Sequence, residues 1–305
     1  MRAKSVLFAA LGAAAILALV GCEAFFVDWG FDINDYRYRF EDSFEADLAG
    51  AELVSITIVN GPITIETWDR DRVEIEVHER VKARDEEEAE ELADEIRLIG
   101  NPQGSELAIE LDYGDFYHRR RNYYCELEVR LPRTVSLRLR TTNGSIAVPE
   151  MDGDVHADTT NGHISLDGCG GDAALVSTNG NINAAGVEGE LRAETTNGDL
   201  ELETAAGPVR GDSTNGNITL RLTDVLDGDV ELDTTNGSVT LIVTPGCSFR
   251  IIADTTNGHV SDSLSDDEFD GEYNRRRTRL EGRYGDGRHL IRLDTTNGSI
   301  RIEED

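Results

Sequence analysis

The stretch Thr141-Thr142-Asn143-Gly144 organises the rest of the chain, because it recurs toward the C-terminus with little variation. Its eight Asn-Gly pairs are separated successively by 18, 18, 18, 18, 21, 21 and 40 residues. A motif repeated at a nearly constant spacing indicates a repeat architecture, in which each copy is one structural unit. The asparagines of these pairs are Asn143, Asn161, Asn179, Asn197, Asn215, Asn236, Asn257 and Asn297.

Apolar and polar residues alternate on both sides of each Asn-Gly pair. Around Asn197, for example, Leu191 and Ala193 come before the pair, and Leu200 and Leu202 come after it. This period of two predicts a half-buried β-strand on each side. A second set of glycines marks the other bend of each unit, at Gly153, Gly171, Gly189, Gly207 and Gly228. Each unit is therefore predicted as strand, Asn-Gly bend, strand, Gly bend.

Two all-β architectures fit this unit. Asn-Gly between alternating strands is a strong hairpin signal, which favours an antiparallel β-meander. Such a meander would be one open sheet of about sixteen strands, which is unusually wide. A β-solenoid, a stack of coils of 18–21 residues, closes each apolar face on itself and explains why the spacing is held. We predict the solenoid, with the eight asparagines buried in a side-chain ladder and in the left-handed backbone conformation before Gly.

The segment before the repeats has a mixed pattern. Residues 51–135 contain alternating strands and a divergent copy of the unit at Asn60-Gly61, but helical spacing over 84–99. We predict a small N-terminal α+β cap there, because solenoid ends need covering. Residues 136–305 are predicted as the solenoid, with an insertion loop at 262–288 and a last coil that closes the stack.

The start of the chain is typical of a secreted lipoprotein. Residues 1–21 have a basic start and a short apolar run, and the run ends at Gly21-Cys22. This pattern predicts a signal peptide, a lipidated Cys22 that attaches the protein to a membrane, and a tether over residues 22–50. The residue after the cysteine is Glu23 and not Asp, which by analogy with enterobacterial lipoproteins permits sorting to the outer membrane. We therefore expect a place in the bacterial cell envelope, on the periplasmic or the surface side.

The composition excludes one class of partner. The chain has 29 basic and 60 acidic residues, and removal of Arg2 and Lys4 with the signal peptide leaves 27 − 60 = −33. Nucleic-acid binding needs a basic surface, so we expect no nucleic-acid partner.

No residue pattern indicates catalysis, a metal or a cofactor. His163 and His259 follow Asn-Gly pairs on coils far apart, and no unit has a Cys/His cluster with ligand spacing. We expect no catalytic residues, no metal site and no cofactor. Cys169 and Cys247 lie about four coils apart in a solenoid, roughly 19 Å, which is too far for a disulfide.

Charged residues form two kinds of pattern. Acids recur three residues before Asn and arginines five before, so that Arg192–Glu194 and Arg210–Asp212 would form surface ion pairs. A cation site between Asp233 and Asp254 is the alternative for that column. Two arginine clusters outside the regular units would bind an anionic envelope polymer or a partner's acidic patch, or would pair with nearby acids at 266–270. These clusters are Arg119-Arg120-Arg121 and Arg275-Arg276-Arg277.

Several of these stretches resemble the bacterial DUF4097 family of adhesin-like β-strand repeats. The resemblance rests on the Thr-Asn-Gly copies and on three earlier segments: Val59-Asn60-Gly61-Pro62-Ile63, Trp68-Asp69 and Leu131-Pro132. It covers nearly all of 50–305 and implies a β-repeat fold and an envelope location, but no site residues.

The function that we predict is a lipid-anchored structural or binding module of the cell envelope, adhesin-like and without catalytic activity. Its partner would be an envelope polysaccharide or a protein. Two alternatives stay open: a polysaccharide-active enzyme on a β-helix, and a scaffold or sensor in envelope-stress signalling.

Overall fold

The computed structural model describes residues 37–114, 123–204, 207–223, 226–265 and 269–305. These ranges are almost entirely β, with a single α-helix, and they contain no helix that is long and apolar enough to cross a membrane. The predicted signal peptide, the lipidation site at Cys22 and the cluster Arg119-Arg120-Arg121 lie outside the described residues.

The N-terminal region contains seven strands and the helix. They are β1 (Arg37–Asp47), β2 (Leu53–Thr57), β3 (Ile63–Trp68), β4 (Arg72–Lys82), α1 (Glu86–Glu95), β5 (Arg97–Gln103), β6 (Glu106–Asp112) and β7 (Tyr123–Pro132). Helix α1 starts where Asp85 accepts a hydrogen bond from the backbone N–H of Glu88 (2.9 Å), as an N-cap does. It buries Ala89, Leu92 and Ala93. The sequence predicted this helix, but with ends that extend too far on both sides.

The predicted tether is shorter than expected. Strand β1 pairs antiparallel with β4 along its whole length, so residues 37–47 belong to a sheet and not to a linker. Phe40 is buried and Phe44 packs against the core. Both alternate with exposed Glu41, Ser43 and Glu45. Phe40 and Phe44 therefore lie on the core-facing side of an edge strand.

Each regular repeat is a β-coil with one strand before the Asn-Gly pair and one after it. The first set is β8 (Ser136–Asn143), β10 (Val155–Asn161), β12 (Ala173–Asn179), β14 (Leu191–Asn197), β16 (Val209–Asn215), β18 (Val230–Asn236), β20 (Phe249–Asn257) and β24 (His289–Asn297). The second set is β9 (Ile146–Val148), β11 (Ile164–Leu166), β13 (Ile182–Val187), β15 (Leu200–Thr204), β17 (Ile218–Leu222), β19 (Val239–Val243), β21 (Val260–Asp262) and β25 (Ile300–Glu304).

Equivalent strands stack in parallel and in register. Asn161 lies opposite Asn143 on one side and Asn179 on the other. One sheet has the order β1-β4-β7-β3-β9-β11-β13-β15-β17-β19-β25-β21. This arrangement confirms the solenoid and excludes the meander, in which sequential strands would pair antiparallel. β2 and β3 form an additional coil at the N-terminal end, where Asn60 bridges to Asn143.

The core lies between the two sheets. In every coil the alternating residues on each side of the Asn-Gly pair point inward, and Leu191, Ala193 and Leu200 are completely buried. Small and branched side chains fill this space because each coil packs on the coils above and below. The buried side chains of Cys125, Cys169 and Cys247 are thiols.

The C-terminal end differs from the prediction. Strands β22 (Phe269–Tyr273) and β23 (Arg279–Tyr284) form an antiparallel hairpin, and β23 pairs with β20. The second sheet therefore has the order β22-β23-β20-β24-β18-β16-β14-β12-β10-β8-β2-β6-β5. The last coil lies between its two predecessors and does not close the stack. The predicted insertion loop closes it instead, because the hairpin covers the outer edge of β20.

Candidate binding surface: the Thr-Asn corner

The asparagine side chains form a continuous hydrogen-bonded ladder. Each amide Nδ2 donates to the Oδ1 of the asparagine on the neighbouring coil over 2.7–2.9 Å. The ladder starts at Asn60, whose Nδ2 donates to the carbonyl of Tyr123 (3.2 Å). It then runs through Asn143, Asn161, Asn179, Asn197, Asn215, Asn236, Asn297 and Asn257. The ladder was predicted, but the order of its last two members was not.

Two predicted properties of these asparagines are wrong. Their side chains are exposed, whereas the prediction placed them in the interior. Their backbone is extended at the end of a strand, and the described non-glycine residues with positive φ are Ala49 and Arg277. Asparagine is therefore used here for its amide and not for left-handed geometry. Each amide keeps one N–H and one oxygen lone pair on the solvent side.

The glycine after each asparagine is required by close approach of the backbones. A Cβ at Gly198 would lie 2.1 Å from the carbonyl oxygen of Gly180, and one at Gly180 would lie 1.9 Å from that of Gly162. No side chain fits at such distances, so a coil can stack on its neighbour at this corner only where it carries glycine. The sequence reasoning attributed Gly to a turn and missed this stacking contact.

The first threonine or serine of each motif is buried under the Asn-Gly bend and hydrogen-bonds to the neighbouring coil. The hydroxyl of Thr195 is buried and donates to the carbonyl of Gly180 over 3.0 Å. Ser213 donates to Gly198 in the same way (3.1 Å). The hydroxyl thus satisfies a carbonyl that would otherwise be buried without a partner.

The residue after Asn-Gly forms a second ladder that the sequence analysis did not predict. His163 accepts a hydrogen bond at Nδ1 from the backbone N–H of Asn181 (3.0 Å), and Asn181 accepts one from Asp199 (3.0 Å). Ser, His, Asn and Asp at this position have in common that each can accept such a bond. The sequence did contain a sign of this ladder, because the residue after each of the eight Asn-Gly pairs is always one that can accept a hydrogen bond. His163 therefore has a structural role.

Residues 52–303 match the family described as Toastrack DUF4097. The chain belongs to the Toastrack DUF4097 family. No curated protein matches it at a significant level. Among solved structures it is similar to a "putative adhesin" of Bacteroides fragilis, with 9% identity and a TM-score of 0.46, over 87% of this chain and 97% of that one. A "putative lipid binding protein" of Parabacteroides distasonis has 11% identity and a TM-score of 0.38, over 87% and 96%. At such identities the likeness concerns the fold alone.

The second threonine of each motif faces the solvent beside the asparagine. Together these residues form a narrow polar strip along the stack, which we call the Thr-Asn corner. The strip consists of Thr142-Asn143, Thr160-Asn161, Thr178-Asn179, Thr196-Asn197, Thr214-Asn215, Thr235-Asn236, Thr256-Asn257 and Thr296-Asn297, all exposed. Its period is the spacing of hydrogen-bonded strands, about 4.8 Å. In this DUF4097 chain the corner is a regular set of exposed hydroxyls and amides that recurs on every regular coil.

The charged column beside the corner forms ion pairs within β14 and within β16. Arg210 donates to Asp212 (2.9 Å), and Arg192 pairs with Glu194, as predicted. Exposed pairs of this kind add little stability. The column is therefore a solvated outer face that carries opposite charges side by side.

The alternative interpretation of this column, a cation site between Asp233 and Asp254, took these two residues to lie on neighbouring coils, and they do not. Asp294 lies between them, because the last coil inserts there, and Arg279 pairs with Asp254. Burial, and then the nearby Asp212 and Glu231, raise the pKa of Asp233 above its usual value. Burial and Asp233 raise the pKa of Asp294. These carboxylates therefore repel each other where the coil inserts.

The second arginine cluster lies at the tip of the β22–β23 hairpin. Arg275, Arg276 and Arg277 are exposed, and the guanidinium of Arg277 lies 4.8 Å from the ring centroid of Tyr273. The cluster stands at the covered end of the stack, next to the last member of the Thr-Asn corner. The backbone N–H groups of Val260 and Thr255, on either side of Asn257, donate to the carbonyls of Arg277 and Thr278 (2.8 Å each). The predicted contact of the cluster with an anionic polymer stays a prediction.

Proposed function

We propose that this chain is a non-catalytic, adhesin-like binding module of the bacterial cell envelope, and that its Thr-Asn corner binds an uncharged polysaccharide chain. The observation that supports this proposal is the unbroken strip of eight exposed Thr-Asn pairs at a constant period. A ligand that is itself periodic, such as a sugar polymer, can use the same contact at successive coils.

The chemistry of the corner suits hydroxyl groups. Each Thr hydroxyl can donate and accept, and each Asn amide has one N–H and one lone pair outside the ladder. One such hydrogen bond contributes only about 0.5–1.5 kcal/mol. Binding must therefore come from many equal contacts with the regularly spaced side chains of the stacked coils. The formal charge of −31 repels polyanions, which favours an uncharged polymer.

Binding can be tested with two matched pairs of substitutions. Thr196→Val and Thr214→Val remove hydroxyls from neighbouring coils of the corner and keep the side-chain shape. The control pair, Thr219→Val and Thr240→Val, lies on neighbouring strands on the outer face of the other sheet. We expect mobility in native gels that contain neutral glucans or mannans to be retarded for wild type and the control, and less retarded for the corner variant.

Three outcomes of that experiment would contradict the proposal. They are no retardation by any neutral polymer, equal loss in both double variants, and stronger retardation by alginate, which is a polyanion. Release of reducing ends from a retarding polymer would overturn the non-catalytic part alone.

We further propose that lipidated Cys22 holds the module at the membrane, as the apolar run that ends at Gly21-Cys22 suggests. Cys22→Ser should move the protein from the membrane fraction to the soluble fraction of cells. If the variant fractionates like wild type, the anchor is another feature of the chain. This result is independent of the polysaccharide test.

A further inference from the structure

We propose that Glu76, His78 and Glu128 form a binding site for a divalent transition-metal ion such as Zn²⁺, on the outer face of the N-terminal strands. Glu76 and His78 are two residues apart on β4 and therefore project from the same face of the sheet. Glu128 on β7 is the antiparallel partner of Glu76. Strand pairing thus brings together two carboxylates and one imidazole that come from segments fifty residues apart in the chain.

The distances are close to those of a metal site. One ligand atom from each of the three residues lies within 4.8 Å of the other two, and His78 Nε2 is 3.7 Å from Glu128 Oε1. In a tetrahedral zinc site with bonds of about 2.1 Å, ligand atoms lie roughly 3.4 Å apart. The strands that carry the three residues are paired on both sides and fix the backbone. Metal binding would therefore need only rotation of these partly exposed side chains.

The surroundings carry more negative charge than the three ligands need. Glu41 on β1 is the cross-strand neighbour of His78 on one side, and Glu126 on β7 is its neighbour on the other. All five side chains point away from the core. This face is negatively charged, in a chain of net charge −31, and therefore attracts cations.

Two arginines lie on this face. Arg80, two residues from His78, is 4.0 Å from Glu126 and partly neutralises it, while Arg130 competes with the metal for a ligand. Arg130 donates to Glu76 Oε1 over 2.8 Å, but it also donates to Glu66 (2.9 Å) and lies 3.6 Å from Glu74. When Glu76 turns to the metal, Arg130 keeps two carboxylate partners. Metal binding therefore leaves no unpaired guanidinium.

The ligand set defines the class of ion. Imidazole nitrogen with two carboxylates suits Zn²⁺, Co²⁺ or Mn²⁺, whereas Ca²⁺ and Mg²⁺ prefer oxygen ligands alone. Three protein ligands leave at least one coordination position for water or for a group from another molecule. The sequence-based expectation of no metal site considered clusters that are near in sequence, and this one needs the register of β4 and β7.

The test uses the full chain after treatment with EDTA and titration with ZnCl₂ in a calorimeter. We expect one saturable zinc site per chain in wild type. Affinity should fall at least tenfold in His78→Ala and in Glu128→Gln, and a hundredfold excess of MgCl₂ should not displace the zinc. With CoCl₂, wild type should develop visible d–d absorption that both variants lack.

The matched control is His156→Ala. His156 is also a half-buried strand histidine two residues from a carboxylate, Asp158, but Arg138 and Arg140 lie near it. The control should bind zinc like wild type. Glu128→Gln is nearly isosteric and carries the test alone if His78→Ala does not fold. Absence of a saturable site in wild type, wild-type affinity in a folded ligand variant, or displacement by MgCl₂ would overturn the proposal.

Discussion

The coils in the middle of the stack and the two at its C-terminal end make the same contacts with their neighbours. In the middle the stacking order follows the order of the chain, and at the end it does not. From Asn143 to Asn215, neighbours in the asparagine ladder are 18 residues apart in the chain. At the end, Asn297 bonds to Asn236 over a separation of 61 residues and to Asn257 over one of 40. The stack is therefore specified by the surface that each coil presents, and not by the order in which coils are synthesised.

The reason for the exchange is the hairpin. It begins just after β21, folds over the outer edge of β20 and pairs with it through β23. Only the inner edge of β20 then remains for the last coil, so β24 pairs between β20 and β18. An end made in this way leaves no long, unpaired repeat strand as a template for other chains.

The strongest test of this comparison is removal of residues 289–305. This deletion takes away the coil that joins β18 to β20. We expect the largest effect here, because one coil of the core is lost: the thermal midpoint should fall sharply. Residues 244–288 should keep protection from proteases only if β20 then pairs directly with β18. Mass spectrometry of limited digests would locate the exposed segment.

Removal of Asp305 alone is the control for this deletion. It loses an exposed ion pair with Arg221 and one backbone hydrogen bond to Val243, and it should behave almost like wild type. A truncated chain with a wild-type thermal midpoint would show that the last coil is only peripheral.

The second test changes glycine to alanine at equivalent corners. Gly198→Ala places a Cβ 2.1 Å from a carbonyl oxygen of a neighbour in chain order, and Gly258→Ala places one 1.8 Å from that of Gly298 in the exchanged coil. Each should cost about 1–3 kcal/mol, the usual penalty of overpacking. Gly170→Ala is the control, because its nearest neighbour atom is 3.0 Å away. Denaturant midpoints measure all three, and a small effect at Gly258 alone would contradict equal stacking at the exchanged coil.

The third test asks which asparagine ends the ladder. Asn197→Ala and Asn297→Ala each remove two side-chain bonds, whereas Asn257→Ala removes one. Because these amides are exposed, we expect roughly 0.5–1 kcal/mol for each of the first two and less for the third. Chain order would make Asn297 the terminal member. A smaller loss of stability for Asn297→Ala than for Asn257→Ala would therefore support chain order and contradict the exchanged coil.

The smallest expected effect concerns pH at the junction of the exchanged coil. The folded state raises the pKa of Asp294, so ionisation costs stability above the unfolded pKa, and stability is gained as pH falls through the folded pKa. Asp294→Asn cannot ionise and should raise the thermal midpoint slightly at pH 7 but not at pH 3. Asp212→Asn, which loses a bond from Arg210, should not be stabilising. A lower midpoint for Asp294→Asn at pH 7 would show that this carboxylate is favourable in the fold.

The sequence predicted the two candidate sites to different degrees: it predicted the asparagine ladder, and it did not predict the proposed metal site. The asparagine ladder follows from the spacing of Asn197 and its equivalents, because in-register coils must place identical residues one above another. Exposure of that ladder did not follow, since alternation stops at the Asn-Gly pair and gives no inward or outward direction there. Glu76, His78 and Glu128 needed the antiparallel register of β4 with β7, which no local pattern encodes.

The sequence by itself determined the repeating coil, the residues of its core and the columns along its faces. Period-two alternation and constant spacing are local properties, and each copy carries them completely. Only the tertiary structure decided that β1 is part of a sheet, that 269–284 caps the stack and that the last coil lies inside it. Every coil presents nearly the same edge, so Asn236 could be followed by Asn257 or by Asn297 with equal hydrogen bonding. The choice was made by the hairpin that occupies the outer edge of β20, a contact between segments that carry no common motif.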